Sequence, residues 1–301
     1  MTEIQRYLAE EVAEDLADGI INRREAVRRL GLLGVTGAAA SGLLATFATG
    51  SAAAATEDQS GKRSASETSW APVARESITF AGPQSPLLAA WAPAVKPRGG
   101  VLVIHENRGL NEHIRTVAGR YAASGYSALA LDLLSEEGGT GAFPGEAEVA
   151  AALAQIPPER FVADMKAALT ELKRRLRGQR LFAVGFCFGG NMVWRLLTSN
   201  EPRLTAAAPY YGPFPDAATF AGSRAAVLGI YGGLDTRVGA TKPAAKAALE
   251  AARLKFELLT FTDADHAFFN ETGARFNPIA ATEAWRRTLN WFDTFNDRHD
   301  D

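Results

Sequence analysis

Gly185-Phe186-Cys187-Phe188-Gly189 is the stretch of this chain that decides its fold. It matches the pattern Gly-x-Ser-x-Gly, with cysteine in the place of serine, in which a nucleophile stands on a sharp turn between a strand and a helix. The apolar run 181–184 predicts a buried strand before the turn, and residues 191–197 predict a helix after it. A side chain at either glycine would clash with the neighbouring strand or helix. Since free cysteines are often buried, a small core residue is the alternative for Cys187.

Apolar strands and helical segments alternate on both sides of this turn. Strands are predicted at 76–80, 87–92, 101–104, 126–131, 181–184, 204–210, 225–231 and 256–261. Helices are predicted at 114–123, 147–153, 160–176, 191–197, 242–252 and 279–295. The first two strands, joined by Gly82-Pro83, form an antiparallel pair. The alternation predicts an α/β domain with a mostly parallel central sheet and helices on both faces.

Composition narrows the classes of function. The chain has 301 residues, of which 47% are hydrophobic and 22% are charged, and its formal net charge is −2. These values are typical of a globular protein and give no indication of a nucleic-acid partner. Gly138-Gly139-Thr140-Gly141 lacks the flanking residues of a phosphate-binding loop, and His105-Glu106 with His113 does not have the spacing of a zinc motif. We therefore expect neither a cofactor nor a metal.

The N-terminal segment has the layout of an export signal. Residues 22–30 contain two arginine pairs, a charge-free run from residue 30 to residue 55 follows, and the small residues 51–55 offer a cleavage site. This arrangement predicts a twin-arginine signal over residues 1–55, with the twin-arginine translocation machinery as partner and a periplasmic or secreted location. The alternative is a membrane anchor formed by residues 30–55. The polar residues 56–69 predict a disordered linker, and the α/β domain then spans 70–297.

Chain order supplies the partners of Cys187, because in folds with this turn the nucleophile is followed by an acid and then a histidine. His266 follows the strand at 256–261 and is the candidate base, whereas His299 lies in the charged C-terminal tail. Asp235 follows the apolar strand at 225–231 and is the candidate acid. Asp263 and Asp265 are rivals, but they share the loop of His266 and are less suited to face its Nδ1.

The roles of these groups follow from their chemistry. His266 can take the proton of Cys187, and Asp235 can fix the tautomer of the imidazole. A helix beginning after Cys187 would favour the thiolate through its dipole. The backbone N–H groups of Phe188 and Asn107 are the candidate oxyanion hole, the second by its position after the strand at 101–104.

Four motifs of this chain resemble those of the dienelactone hydrolases (carboxymethylenebutenolidases), a family with the α/β-hydrolase fold. They are Gly-Phe-Cys-Phe-Gly-Gly at 185–190, Gly-Gly-Leu-Asp at 232–235, Asp-His-Ala-Phe at 265–268 and His-Glu-Asn-Arg-Gly at 105–109. The resemblance covers about residues 70–297. It implies a Cys-His-Asp triad at Cys187, His266 and Asp235, and an acyl-enzyme route for a small ester or lactone substrate. It also implies that Glu106 holds the resting thiol in a neutral form, with a structural ion pair to Arg108 or Arg115 as the alternative.

One position departs from the family. Dienelactone-processing members have an arginine for the substrate carboxylate four residues past the catalytic histidine, where this chain has Asn270. Arg108 or Arg275 could supply the missing charge. The expected activity is therefore hydrolysis of an ester or lactone by a monomer. A non-catalytic binding protein of the cell envelope and a hydrolase of thioesters or other small acyl compounds are the alternatives.

Overall fold

The computed structural model describes residues 1–48 and 74–296. These residues form two compact units, one made of 1–48 with 143–156 and the other of 74–142 with 157–296. The predicted linker at 56–69, the cleavage site near Ala55 and His299 lie outside the described residues. The boundaries at 1–55, 56–69 and 70–297 therefore stay predictions.

Ten α-helices and eight strands make up the regular structure of the described residues. The helices are α1 (Glu3–Ala17), α2 (Arg23–Leu32), α3 (Gly37–Ala48), α4 (Glu112–Ala123), α5 (Glu146–Gln155), α6 (Pro158–Arg175), α7 (Phe188–Thr198), α8 (Thr236–Gly239), α9 (Lys242–Ala251) and α10 (Pro278–Asn296). The strands are β1 (Glu76–Phe80), β2 (Leu87–Ala92), β3 (Gly99–Ile104), β4 (Tyr126–Leu131), β5 (Leu181–Phe186), β6 (Leu204–Tyr210), β7 (Ala226–Gly232) and β8 (Phe256–Phe261).

The eight strands form one sheet in the order β1-β2-β4-β3-β5-β6-β7-β8. β2 pairs antiparallel with β1 and with β4, and all the other neighbours are parallel. This sheet confirms the predicted α/β class, including the antiparallel pair at its start. Because the carboxyl ends of parallel strands meet at one edge, the residues that follow β3, β5, β6, β7 and β8 are gathered there.

Helix α7 begins earlier than its sequence predicts. Its first residue is Phe188, directly after the cysteine, whereas the sequence pattern indicated a start at residue 191. Glycine has a low helix propensity, so Gly189 and Gly190 argued against a helix. Both glycines nevertheless lie in close contact with the ends of neighbouring strands, since an added Cβ would overlap Ile104 at one position and Tyr210 at the other. Tertiary packing overrides propensity in this turn.

The smaller unit consists of α1, α2, α3 and α5. Helix α1 begins with a capping box in which the side chains of Thr2 and Gln5 bond each other's backbone N–H groups. An ion pair of 2.6 Å between Arg28 and Glu148 joins α2 to α5. Within residues 1–48 and 74–296, no helix has both the length and the apolar character that crossing a bilayer requires.

The core of the larger unit contains a cluster of aromatic rings to which the last helix contributes. Phe292 of α10 stacks on Phe182 of β5 at 4.6 Å between ring centroids. The same ring lies 6.0 Å from Tyr126 of β4 and 6.2 Å from Tyr121 of α4. All four side chains are fully buried. The C-terminal helix thereby completes a core whose other members come from much earlier in the chain.

Candidate active site

The turn between β5 and α7 brings the cysteine to the carboxyl edge of the sheet. Cys187 has a φ of 57°, in the left-handed region that residues other than glycine rarely adopt. A Cβ at Gly185 would overlap the carbonyl oxygen of Gly189, and a Cβ at Gly189 would overlap that of Ile104. The two glycines are thus required by close backbone contacts, as the sequence pattern indicates. The N–H of Cys187 donates to the carbonyl of Tyr210 at 3.1 Å, which fixes the turn to the neighbouring strand.

His266 and Asp235 form a buried pair. Nδ1 of His266 lies 2.6 Å from Oδ2 of Asp235, and both side chains are 1% exposed. The other oxygen of Asp235 accepts a hydrogen bond from the N–H of Val238 and caps helix α8. Burial alone would raise the pKa of Asp235, but the adjacent His266, with Arg237 and the Val238 N–H, holds that pKa below its usual value. An ionised Asp235 fixes the imidazole with its proton on Nδ1 and leaves Nε2 as the basic nitrogen.

The carboxylate of Asp265, one of the two rivals of Asp235, bonds the backbone of the histidine's loop. Oδ1 of Asp265 accepts the backbone N–H of His266 at 2.6 Å, and its other oxygen lies 3.7 Å from Nε of Arg275. The carbonyl of Asp263 accepts a hydrogen bond from the side chain of Asn277. The ring nitrogen of His266 is therefore contacted by Asp235, which comes from the end of another strand.

The sulfur of Cys187 lies close to this pair. Its Sγ and a ring nitrogen of His266 are within 4.8 Å of each other. The structure thus brings together the cysteine, the histidine and the carboxylate that the sequence singled out. A thiol, an imidazole and an orienting carboxylate in this arrangement can carry a proton away from sulfur and hold the resulting charge.

The two candidate oxyanion donors, the N–H groups of Phe188 and Asn107, belong to backbone segments that contact each other. Phe188 is the first residue of α7, and the N–H groups of a helix's first turn have no partner within the helix. Asn107 lies three residues beyond β3. The carbonyls of Ile104 and His105 contact Gly189 so closely that a Cβ there would overlap them. The segment that carries Asn107 is therefore held against the first turn of α7.

Glu106 is buried and is held by an amide. Its Oε2 accepts a hydrogen bond of 2.6 Å from Nδ2 of Asn270. The orientation of that amide is fixed, because its oxygen accepts from both the backbone N–H and the hydroxyl of Thr272. An ion pair with Arg108 or Arg115 is the alternative role for Glu106, whereas the hydrogen-bond donor to its Oε2 is Asn270. The residue that departs from the family pattern therefore contacts the residue expected to modulate the thiol.

His105 is a structural support that the sequence did not reveal. Its Nδ1 lies 2.6 Å from the carbonyl of Glu106, and its Nε2 accepts the N–H of Leu133 at 3.1 Å. Both bonds form only when the ring is neutral with its proton on Nδ1. Burial lowers the pKa of His105 and outweighs the opposing influence of Asp132. His105 thereby fixes the backbone from which the Glu106 side chain projects.

Polar contacts between Glu271 and α4 also hold the loop that carries His266. Oε2 of Glu271 lies 2.9 Å from Nδ1 of His113, and its other oxygen lies 2.8 Å from Arg120. Both partners belong to α4. Although burial favours the protonated form of Glu271, these contacts lower its pKa to about 2.

Tyr211 is a further residue of the site that sequence reasoning missed. It follows β6 directly, is fully buried and has a φ of 33°. The centroid of its ring lies 5.3 Å from that of His266. The available signal was its place at the carboxyl end of a parallel strand, where site residues collect.

Comparisons with known proteins indicate a family for this chain. The sequence profile of the dienelactone hydrolase family matches residues 88–296. A relative from Escherichia coli O157:H7, provisionally named carboxymethylenebutenolidase, is 32% identical over 65% of this chain and 76% of its own length. A relative of the same name from Methylorubrum extorquens AM1 is 29% identical over 64% of this chain and 70% of its own.

A solved structure gives the same result. The crystal structure of a Klebsiella pneumoniae protein, provisionally named dienelactone hydrolase, has a TM-score of 0.65 and 27% sequence identity to this chain. The match covers 74% of this chain and 99% of that one. The range matched by the family profile contains strands β3 to β8 and the candidate site residues. The chain belongs to the dienelactone hydrolase family and is a hydrolase with the α/β-hydrolase fold.

Proposed function

We propose that this protein hydrolyses a carboxylic ester or lactone, with Cys187 as nucleophile, His266 as general base and Asp235 as the residue that orients the imidazole. The observation that carries the proposal is the buried contact of 2.6 Å between His266 and Asp235, beside the sulfur of Cys187. Orientation by Asp235 makes Nε2 of His266 the nitrogen that receives the thiol proton.

The first half of the reaction forms an acyl-enzyme. The thiolate attacks the carbonyl carbon, and the carbonyl π electrons move to oxygen, which the N–H groups of Phe188 and Asn107 stabilise. The tetrahedral intermediate then collapses and breaks the bond to the alcohol oxygen. The imidazolium of His266 gives its proton to that oxygen. With a lactone, the alcohol stays attached to the acyl group as the opened chain.

The second half releases the acid. His266 removes a proton from water, the resulting hydroxide attacks the thioester carbon, and the sulfur leaves. The proton on His266 returns to the sulfur of Cys187. Each turnover therefore consumes one ester and one water and yields one acid and one alcohol.

The environment of Cys187 favours the thiolate that this route needs. A free thiol has a pKa of about 8.5 and is mostly protonated at neutral pH. Two groups oppose this, namely the N-terminus of α7 and the imidazolium formed on His266. We propose that Glu106, held by Asn270, modulates the charge of the same thiol before substrate binds.

Export is the second part of the proposal. The arginine pairs Arg23-Arg24 and Arg28-Arg29, followed by a charge-free run, support a twin-arginine signal over residues 1–55. Mass spectrometry of the N-terminus of the exported protein tests this, with cleavage near Ala55 as the expected result. An exported protein that retains residue 1 would contradict it.

A hydrolysis screen tests the enzymatic proposal. Purified protein is assayed with dienelactones, simple lactones and aryl esters, since the relatives' shared name points to butenolide-type lactones first. We expect turnover of at least one class, and its loss in Cys187→Ala. Full activity of Cys187→Ala on the same substrate would overturn the assignment of the nucleophile.

A further inference from the structure

Tyr211 stands directly beside the nucleophile. The carbonyl of Tyr210 accepts the N–H of Cys187, and the N–H of Tyr211 donates to the carbonyl of Ile230 at 2.7 Å. The next residue, Gly212, is so close to the first turn of α7 that an added Cβ would overlap the backbone N of Asn191. The backbone of Tyr211 is therefore fixed on one side to the cysteine turn and on the other to β7.

This backbone is strained. A φ of 33° is unusual for a residue with a bulky aromatic side chain and costs free energy that other contacts must offset. The ring is packed in a definite place, with centroids 5.3 Å from His266, 5.4 Å from Phe268 and 6.3 Å from Phe186. Strain of this kind at a functional site indicates that the position of the side chain serves the site.

The hydroxyl of Tyr211 makes no hydrogen bond with the part of the chain that the structure describes. It is buried, and none of the described residues provides it with a hydrogen-bond partner. The same holds for Oε1 of Glu106 among those residues. The preceding Tyr210 differs, because its hydroxyl bonds with the hydroxyl of Thr288 and the carbonyl of Ala284. A buried hydroxyl without a partner requires an explanation, and a bound molecule is the one that fits a site.

The hydroxyl of Tyr211 is suited to donate a hydrogen bond. Burial raises the pKa of its hydroxyl well above the usual value, and the charges of Glu106 and Cys187 raise it further. The phenol thus keeps its proton. It can give a hydrogen bond to an oxygen atom without changing its own charge.

We propose that Tyr211 is a substrate-binding residue whose hydroxyl donates a hydrogen bond to an oxygen of the bound ester or lactone. This inference rests on the proposed esterase activity. Two oxyanion donors, Phe188 and Asn107, serve the carbonyl oxygen, and Tyr211, which follows β6, adds a third donor. Its contribution is one hydrogen bond, which corresponds to a change of about 10-fold in kcat/KM.

The test compares two tyrosines. Tyr211→Phe removes the hydroxyl and keeps the ring. The matched control is Tyr121→Phe, because Tyr121 is also fully buried and has a hydroxyl without a partner among the described residues, yet it packs on Trp285 in the aromatic core. Both variants and the unmodified protein are assayed for kcat and KM with 4-nitrophenyl acetate. The pH dependence of Cys187 alkylation by iodoacetamide is measured on the same samples.

We expect Tyr211→Phe to lower kcat/KM about 10-fold and Tyr121→Phe to change it less than twofold, with the alkylation profile unchanged in both. Equal kcat/KM for Tyr211→Phe and the unmodified protein would overturn the inference. So would a shifted alkylation profile in Tyr211→Phe, which would place the hydroxyl on the thiol instead of the substrate. Absence of any Cys187-dependent turnover in the unmodified protein would overturn the proposed function and this inference together.

Discussion

The cysteine turn, residues 185–190, and the histidine loop, residues 262–277, meet at one edge of the sheet and are held in place by different means. The cysteine turn depends on two glycines. Gly185 and Gly189 lie so close to backbone atoms that neither position has room for a side chain. In the histidine loop, side-chain contacts to other elements decide the geometry. One such contact is the hydrogen bond from Asn270 to Glu106, and another is the ion pair of Glu271 with Arg120.

This difference explains which region a sequence pattern reveals. The constraints on the cysteine turn are local, so five consecutive residues carry most of them. The contacts of the histidine loop cross long stretches of chain: 31 residues separate His266 from Asp235, and 164 separate Asn270 from Glu106. We therefore expect substitutions in the turn to act through steric overlap. Substitutions in the loop should act through the loss of charge and of hydrogen bonds.

The largest expected effect concerns the partner of the histidine ring. Asp235→Asn removes the charge that fixes the Nδ1–H tautomer and stabilises the imidazolium, so kcat/KM should fall roughly 100- to 10,000-fold. The matched control is Asp265→Asn, because Asp265 bonds the backbone of His266 and not its ring. Steady-state kinetics on an aryl ester check this. Equal losses in the two variants would mean that the loop backbone, and not the ring partner, limits the reaction.

The second prediction concerns the cysteine turn. Gly189→Ala places a methyl group where the carbonyl oxygens of Ile104 and His105 lie, and neither backbone segment can move freely. We expect the free energy of unfolding to fall by about 3 kcal/mol, measured by chemical denaturation. Gly141→Ala is the control, since its Cβ would meet nothing within 4 Å. A Gly189→Ala protein as stable as that control would show that the turn tolerates side chains.

The third prediction concerns the amide of the histidine loop. Asn270→Asp puts a second carboxylate against Glu106 without changing the size of the side chain. Two neighbouring carboxylates raise each other's pKa in the folded state, so the destabilisation is present at neutral pH and fades as pH falls and a proton binds. We expect a loss of about 2 kcal/mol at pH 8 and less at pH 5 in denaturant unfolding.

The exposed Asn290 of α10 provides the control for this substitution. Asn290→Asp should change the free energy of unfolding little at either pH. If Asn270→Asp behaves in the same way, then the contact between Asn270 and Glu106 does not stabilise the loop.

The smallest expected effect is a dependence of the unfolding free energy on pH, caused by Glu271. The folded-state pKa of Glu271 is lowered from 4.5 to about 2, so its contribution to stability is complete above about 4.5 and is lost as pH falls toward about 2. Since the side chain is 30% exposed, solvent screening limits that contribution to about 1 kcal/mol. Glu271→Gln should flatten this part of the curve of unfolding free energy against pH. The exposed Glu250 gives the control Glu250→Gln, which should leave the curve unchanged.

The sequence predicted the sheet well because its strands are short apolar runs bounded by turn residues. Five predicted strands, β1, β2, β4, β6 and β8, have the observed bounds. Chain order was enough to choose His266 and Asp235, since each follows a strand whose carboxyl end lies at the site edge. The start of α7 was predicted too late because Gly189 and Gly190 have low helix propensity. Tertiary packing nevertheless makes them part of the helix.

The residues that hold the site residues in place could not be predicted from the sequence. Nothing in the pattern around Asn270 shows that its amide meets Glu106, because that pairing depends on how loops after β3 and β8 approach each other. Tyr211 lies one residue beyond the strand predicted at 204–210, and its φ of 33° has no sequence signature in a residue other than glycine. His105 shares a motif with Glu106, but only its buried ring contacts identify its task.

The position of α10 has a consequence for the order of events during folding. Phe292 packs on Phe182 of β5 and near Tyr126 of β4, which come from far earlier in the chain. Contacts between residues so distant in sequence close long loops, and the entropy of loop closure must be lost before the contact is gained. We therefore expect the aromatic core of the larger unit to close late in folding.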